Sequence, residues 1–346
     1  MTKQLSAKLL AISILISLFS FTVKAQEKGL IINPLKIWDQ ARHNAFTDLV
    51  RHRGHFYCVF REGEGHVPAG KEENGKIRIL RSRNGKKWRS AGLLTSEIYD
   101  LRDPKISVMP DGRLLVLMGG SDYVGRELRS RLCQVSFSKK GKKFSDPVPI
   151  DIDPQIKTNT DWLWKITWKG ATGYGLVYQP ANTGDWGIAL VSTTDGTNYE
   201  LVGALNLEGK PNESTIRFRG DTMIAIVRRE AGVNGVMGFS NPPYRNWEWV
   251  DLGMRLGGPD FVFSDEGKII CGTRTYPVQG IQEGYRTSII EFDLSGREQK
   301  RLVLPSGGDT SYPGMVIFRN RLWISYYSSH EGKTSIYFGK LPLNDI

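Results

Sequence analysis

The sequence predicts an all-β fold, a six-bladed β-propeller with four antiparallel strands in each blade. Three observations carry that prediction. Short apolar runs rich in Val, Ile, Phe and Trp recur along the chain with turn residues between them, and helical periodicity is nearly absent after residue 25. The runs pair into six hairpins that begin at Ala45, Asp103, Asp161, Glu213, Asp260 and Tyr312. The hairpin starts recur roughly every fifty residues, the period of a four-stranded propeller blade.

The elements follow in order. Lys3 and Lys8 flank the start of an apolar run from Leu9 to Val23, and Val23-Lys24-Ala25 offers a cleavage site. Residues 1–25 therefore read as a secretory signal, leaving one propeller domain over 26–346 in the periplasm or outside the cell. No Cys follows the expected cut, which argues against a lipid anchor, and no second apolar segment reaches membrane length. Leu30-Ile31-Ile32 is the candidate strand to pair with the last blade and close the ring.

Each hairpin carries its own turn, with Asp111-Gly112 and Glu266-Gly267 the clearest. After the first three hairpins comes a second motif: Ser82 to Trp88, Ser138 to Phe144 and Thr193 to Tyr199. Each has a hydroxyl, a turn Gly and a returning aromatic. Ser240 to Trp247 is a looser copy. A β-solenoid is the structural alternative, but its repeats are shorter.

Composition narrows the partners. The formal charge is +11, and it stays strongly basic once Lys3, Lys8 and Lys24 leave with the signal. Export argues against nucleic acid, and an anionic glycan fits both compartment and sign. Cys58, Cys133 and Cys271 lie in apolar runs and read as buried thiols rather than a disulfide scaffold. No His or Cys cluster has metal-ligand spacing and no cofactor is expected; Asp and Glu around the channel could hold a Ca²⁺ ion, but nothing in their spacing demands it. The expected state is a monomer.

Propeller geometry then selects candidate site residues. The start of the first strand and the end of the second meet on one face, because they pair antiparallel. Strand starts give Arg42-His43, Arg102-Asp103, Asp161, Glu213, Asp260 and Asp309 to Tyr312. Strand ends give Arg61, Tyr178, Arg228, Arg274 and Tyr326-Tyr327. Singly, such acids serve as caps and such arginines as cross-strand partners. Gathered in one concavity, they are costly unless a ligand uses them. Arg42, Arg61, Arg228, Arg274, Asp161 and Asp260 are the candidate substrate contacts. Tyr312, Glu213, Glu64, Asp103 and His43 are the candidate catalytic groups. His330 and Glu331 stand in a nearby loop as further proton carriers.

The chain resembles the sialidase (neuraminidase) superfamily over essentially its whole length after the signal. The turns at Asn84-Gly85 and Asp195-Gly196 are similar to that family's Asp-box, one residue short of the usual spacing. More specific is the order Glu213, Arg228, Arg274 and Tyr312 at matching blade positions. The resemblance implies Tyr312 as nucleophile, Glu213 as the base that takes its proton, and Arg228 and Arg274 as binders of a substrate carboxylate. A neutral phenol suits an anomeric centre that already bears a carboxylate, and it needs the base because its unassisted pKa is ~10.

Two departures stand against sialic acid itself. Ala41-Arg42-His43-Asn44-Ala45 lacks the family's Phe/Tyr-Arg-Ile-Pro motif, and Arg61-Glu62-Gly63-Glu64-Gly65-His66 lacks its acid/base Asp. Glu62, Glu64 or His66 is available there instead. Three functions remain open: an exported exo-acting glycosidase, a glycan-binding propeller without catalysis, and a glycosidase for a uronic-acid or deoxy-sugar terminus.

Overall fold

A computed structural model describes residues 33–346, apart from 126, 182, 183 and 231. Strands dominate, with two single-turn 3-10 helices. No helix among the described residues is long and apolar enough to cross a membrane. The signal expected over 1–25 and the closing strand expected at Leu30-Ile31-Ile32 lie outside the described residues.

Six sheets form six blades. Their inner strands are His43–His52, Asp100–Val108, Trp162–Lys169, Pro211–Arg219, Asp260–Phe263 and Thr310–Ile317. Each inner strand pairs antiparallel with the next strand in sequence, as a tight hairpin dictates. In blade one the connection is Arg53-Gly54, with φ of 45° and 75°. Two positive φ values match the twist of the flanking strands.

The recurring hydroxyl-Gly-aromatic motif joins third to fourth strands. Ser82, Ser138 and Thr193 each accept a hydrogen bond of 2.9 Å from the amide of Gly85, Gly141 and Gly196 respectively. The returning aromatic leans on the blade before it. Trp88 meets Phe338 of blade six edge-on at 4.8 Å. Phe144 joins the apolar cluster of Val59 and Ile79 in blade one, and Tyr199 joins that of Leu115 and Val135 in blade two. The core is thus a set of seams between blades. Each fully buried Leu, Ile or Phe in them contributes about 1.5–3 kcal/mol.

Leu35–Trp38 closes the ring as the outer strand of the last blade, antiparallel to Ser335–Pro342. This segment begins a few residues after the expected one. Cys58, Cys133 and Cys271 are free and buried, and burial pushes their thiols up.

One irregularity positions the site. Five inner strands each carry one extra residue against their partner: between Ala45 and Asp48, Arg102 and Lys105, Leu163 and Ile166, Pro211 and Ser214, and Ser311 and Gly314. A bulge of this kind re-aims side chains beside it. Phe46, Asp103 and Tyr312 sit in three of these bulges with φ of 64°, 50° and 49°. For residues other than Gly this left-handed backbone costs on the order of 1–3 kcal/mol each, and it concentrates at functional positions.

Candidate active site

Tyr312 is held on every side. Its ring lies 5.2 Å from Phe46, 5.4 Å from Trp164 and 5.9 Å from the stacked Tyr327. Its carbonyl accepts 2.7 Å from Thr47 Oγ1. Its hydroxyl donates to Glu213 Oε1, across 99 residues of sequence. Only 8% of Tyr312 and 7% of Glu213 is exposed.

Glu213 Oε2 accepts from Arg228 Nη1 at 2.6 Å and from the Gly258 amide at 2.8 Å. Burial alone would raise this carboxyl. Arg228, the Tyr312 hydroxyl and Arg274 outweigh it and hold the group below its usual range. Tyr312 moves the other way: burial first, then the charges of Glu213 and Asp103, push the phenol well above 10. The pair is therefore a neutral phenol hydrogen-bonded to an anionic acceptor.

Asp103 completes a contrast. Burial raises its carboxyl against the pull of Arg102, and the charge of Glu213 raises it further. Asp103 Oδ1 is buried without a partner, and Oδ2 is 3.6 Å from Arg102 Nε. Two carboxyls whose surroundings drive them apart suit opposite roles, one as base and one as acid.

Two cations remain uncommitted. Lys105 Nζ stands 4.3 Å from the Trp164 ring and 5.2 Å from that of Tyr312. Arg274 packs between Tyr276 and Tyr285 at 5.5 and 5.7 Å, with a buried, unpartnered Nε. Among the described residues neither makes a salt bridge. Arg228, by contrast, fills its fork with Glu213 and Glu230.

The structure thus brings together Tyr312, Glu213, Arg228, Arg274 and Asp103. It places other expected residues elsewhere. Arg61 is fully buried, bonded through Nε and Nη2 to Asp100 Oδ1 at 3.1 and 2.6 Å and through Nη1 to the Gly65 carbonyl at 2.7 Å. Those bonds leave no donor pair for a ligand carboxylate. Asp161 accepts from Thr158 and Gln179 and ties down the loop before blade three. Asp260 bonds Lys165 Nζ at 2.8 Å and Arg217 Nη2 at 2.7 Å, further along the inner strands.

Arg42 and Glu64 form an exposed pair at 3.8 Å, with the Arg42 side chain 82% accessible. His43 Nε2 lies 2.9 Å from Asp309 Oδ2. Glu62 accepts from Trp38 and Arg78. Glu331 pairs with Lys36 on the closing strand, and His330 bonds Ser328.

Lys105, Trp164 and Phe46 escaped the sequence reading. All three lie within or beside a bulge, where strict alternation along the strand assigns the wrong face.

No protein-family model and no curated protein matches the sequence. Solved structures do match in fold. A protein of unknown function from Dyadobacter fermentans superposes with a TM-score of 0.75 at 15% identity, covering 89% of this chain and 98% of its own. An α-L-arabinofuranosidase from Fusarium graminearum, in complex with an iminosugar inhibitor, gives 0.65 at 15% identity over 90% of this chain and 98% of its own. Trypanosoma rangeli sialidase, bound to the inhibitor DANA, gives 0.62 at 12% identity. There 87% of this chain is covered, and the chain spans 55% of the sialidase. The fold is a sialidase-like six-bladed propeller.

Proposed function

We propose that the protein is an exported exo-acting glycoside hydrolase that removes a terminal acidic sugar through a tyrosine nucleophile. The observation that carries this reading is the Tyr312 hydroxyl donating to Glu213, with Glu213 itself held by Arg228 and the Gly258 amide. Attack by Tyr312 Oη on the anomeric carbon forms the new C–O bond as the glycosidic bond breaks. The phenolic proton passes to Glu213, and Asp103, whose carboxyl burial raises, gives its proton to the leaving oxygen. Water then attacks the glycosyl-tyrosine, with Asp103 taking the water's proton and Glu213 returning one to Tyr312.

Lys105 and Arg274 supply the attraction for an anionic substituent, since among the described residues neither is held in a salt bridge. Arg61 and Arg228 are already committed to Asp100, Glu213 and Glu230. Two uncommitted cations, Lys105 and Arg274, support an anionic terminus without choosing between a uronic acid and another acidic sugar. A glycan-binding protein without catalysis would not need the phenol–carboxylate pair.

The test is release of the aryl group from a panel of aryl sialosides, uronides and arabinofuranosides, with Tyr312→Phe as control. The reading expects one class to turn over and the variant to lose turnover while still binding product. Saturable glycan binding with no release from any member would remove the enzymatic reading.

A further inference from the structure

Three metal-ligating side chains meet where the ring closes. His43 opens the inner strand of blade one, His66 lies in the loop after that blade's second strand, and Asp309 immediately precedes the inner strand of blade six. His43 Nε2 is 2.9 Å and His66 Nδ1 3.2 Å from the same Asp309 oxygen, Oδ2. One ligand atom from each lies within 4.8 Å of the others. Ligands at ~2.0–2.1 Å around a tetrahedral zinc are spaced about 3.3 Å from one another, so small side-chain shifts suffice to admit the ion.

The surroundings hold the set in place. The two imidazoles are nearly perpendicular, at 70° with centroids 5.6 Å apart, and Phe46 packs against both at 6.0 and 5.1 Å. The second Asp309 oxygen accepts 2.9 Å from the Tyr327 hydroxyl, an outer contact of the kind that fixes a ligating carboxylate. The Asp309 amide donates 2.8 Å to Ser329 Oγ. The His66 side chain is 53% accessible, which leaves a route for the ion and for a fourth, exchangeable ligand.

We propose that His43, His66 and Asp309 form a divalent transition-metal site, with zinc the fitting ion, that pins blade one to blade six at the lip of the channel. Two imidazoles and one carboxylate are a donor set that suits zinc. The chain already closes here: the His43 backbone bridges Thr334, and the Asn44 amide donates 3.2 Å to the Thr334 carbonyl. An ion would add a tie between segments 266 residues apart in sequence. The site is independent of the glycosidase reading, because Tyr312 and Glu213 are not among its ligands.

The experiment is a Zn²⁺ titration of chelator-stripped protein by calorimetry, with thermal unfolding and the Co²⁺ visible spectrum as second readouts. The expected result is one ion per chain, a rise in unfolding temperature that saturates with Zn²⁺, and four-coordinate Co²⁺ bands. His66→Ala and Asp309→Asn should each weaken binding by about tenfold or more, and Tyr312→Phe should leave it unchanged. His66 is half-exposed, so its variant folds, and near-UV circular dichroism checks that. Equal Zn²⁺ affinity in His66→Ala and wild type, or no saturable binding to the stripped wild type, overturns the proposal.

Discussion

Two ionic clusters occupy the same channel and are built differently. In the deeper one, Lys165 Nζ bridges Asp48 and Asp260 at 2.7 and 2.8 Å. The Ile106 amide bonds the second Asp48 oxygen, while Arg217 and the Phe261 amide bond the second Asp260 oxygen. Nothing there is left over. At the rim, among the described residues, Asp103 Oδ1, Arg228 Nε and Arg274 Nε are buried without partners, and Lys105 makes no salt bridge. A cluster that satisfies itself holds blades one, three and five together. A cluster with open valences is arranged for something that binds.

Replacing residues in the two clusters should therefore break different properties. Tyr312→Phe should lower kcat by on the order of 10⁴-fold or more, as for loss of a covalent nucleophile, while costing stability only about 1 kcal/mol. Steady-state kinetics and urea unfolding on the same samples check both halves. Lys165→Met should do the reverse. It leaves Asp48 and Asp260 buried and unpaired, at about 3–5 kcal/mol in denaturant midpoint analysis, and the surviving folded fraction should keep its KM. A stable Lys165→Met protein would erase the distinction between the clusters.

Asp103→Asn sharpens the rim side. Loss of a general acid costs about 10²–10⁴-fold with a poor leaving group, and less with an activated aryl one. Asp103 lies above its usual 3.8 and Glu213 below its usual 4.5. Turnover should then fall on acidification as Glu213 gains a proton and on alkalinisation as Asp103 loses one. Only the alkaline limb should vanish in Asp103→Asn, read from a pH–rate profile. Arg274→Met should weaken an anionic competitive inhibitor by roughly 1.5–3 kcal/mol, with a neutral one unaffected.

The smallest effect concerns stability against pH. The folded Glu213 carboxyl titrates below its unfolded 4.5. Its contribution is present above that value and lost as pH falls through the folded one. Glu213→Gln should flatten that stretch of an acid-unfolding curve.

The fold was legible because each blade repeats the same local signals, and local signals survive in sequence. The strand-start and strand-end rule also placed Glu213, Arg228 and Tyr312 together. It could not separate rim charges that bind a ligand from those consumed by the protein. Arg61 is consumed by Asp100, 39 residues away in the next blade. Asp260 is consumed by Lys165, 95 residues away. Those partnerships cross from one blade to another, and hydrophobic alternation along a strand does not record which distant side chain a charge meets. The His43–Asp309 contact escaped for the same reason: metal-ligand spacing is a short-range pattern, and this pair is joined only by ring closure.

The most direct measurement is mass spectrometry of the protein after reaction with a 2-fluoro glycosyl fluoride of the sugar it hydrolyses. The account predicts a single glycosyl adduct on the peptide bearing Tyr312, absent in Tyr312→Phe. An adduct on Asp103 or Glu213, or turnover without any adduct and unimpaired by Tyr312→Phe, would contradict it.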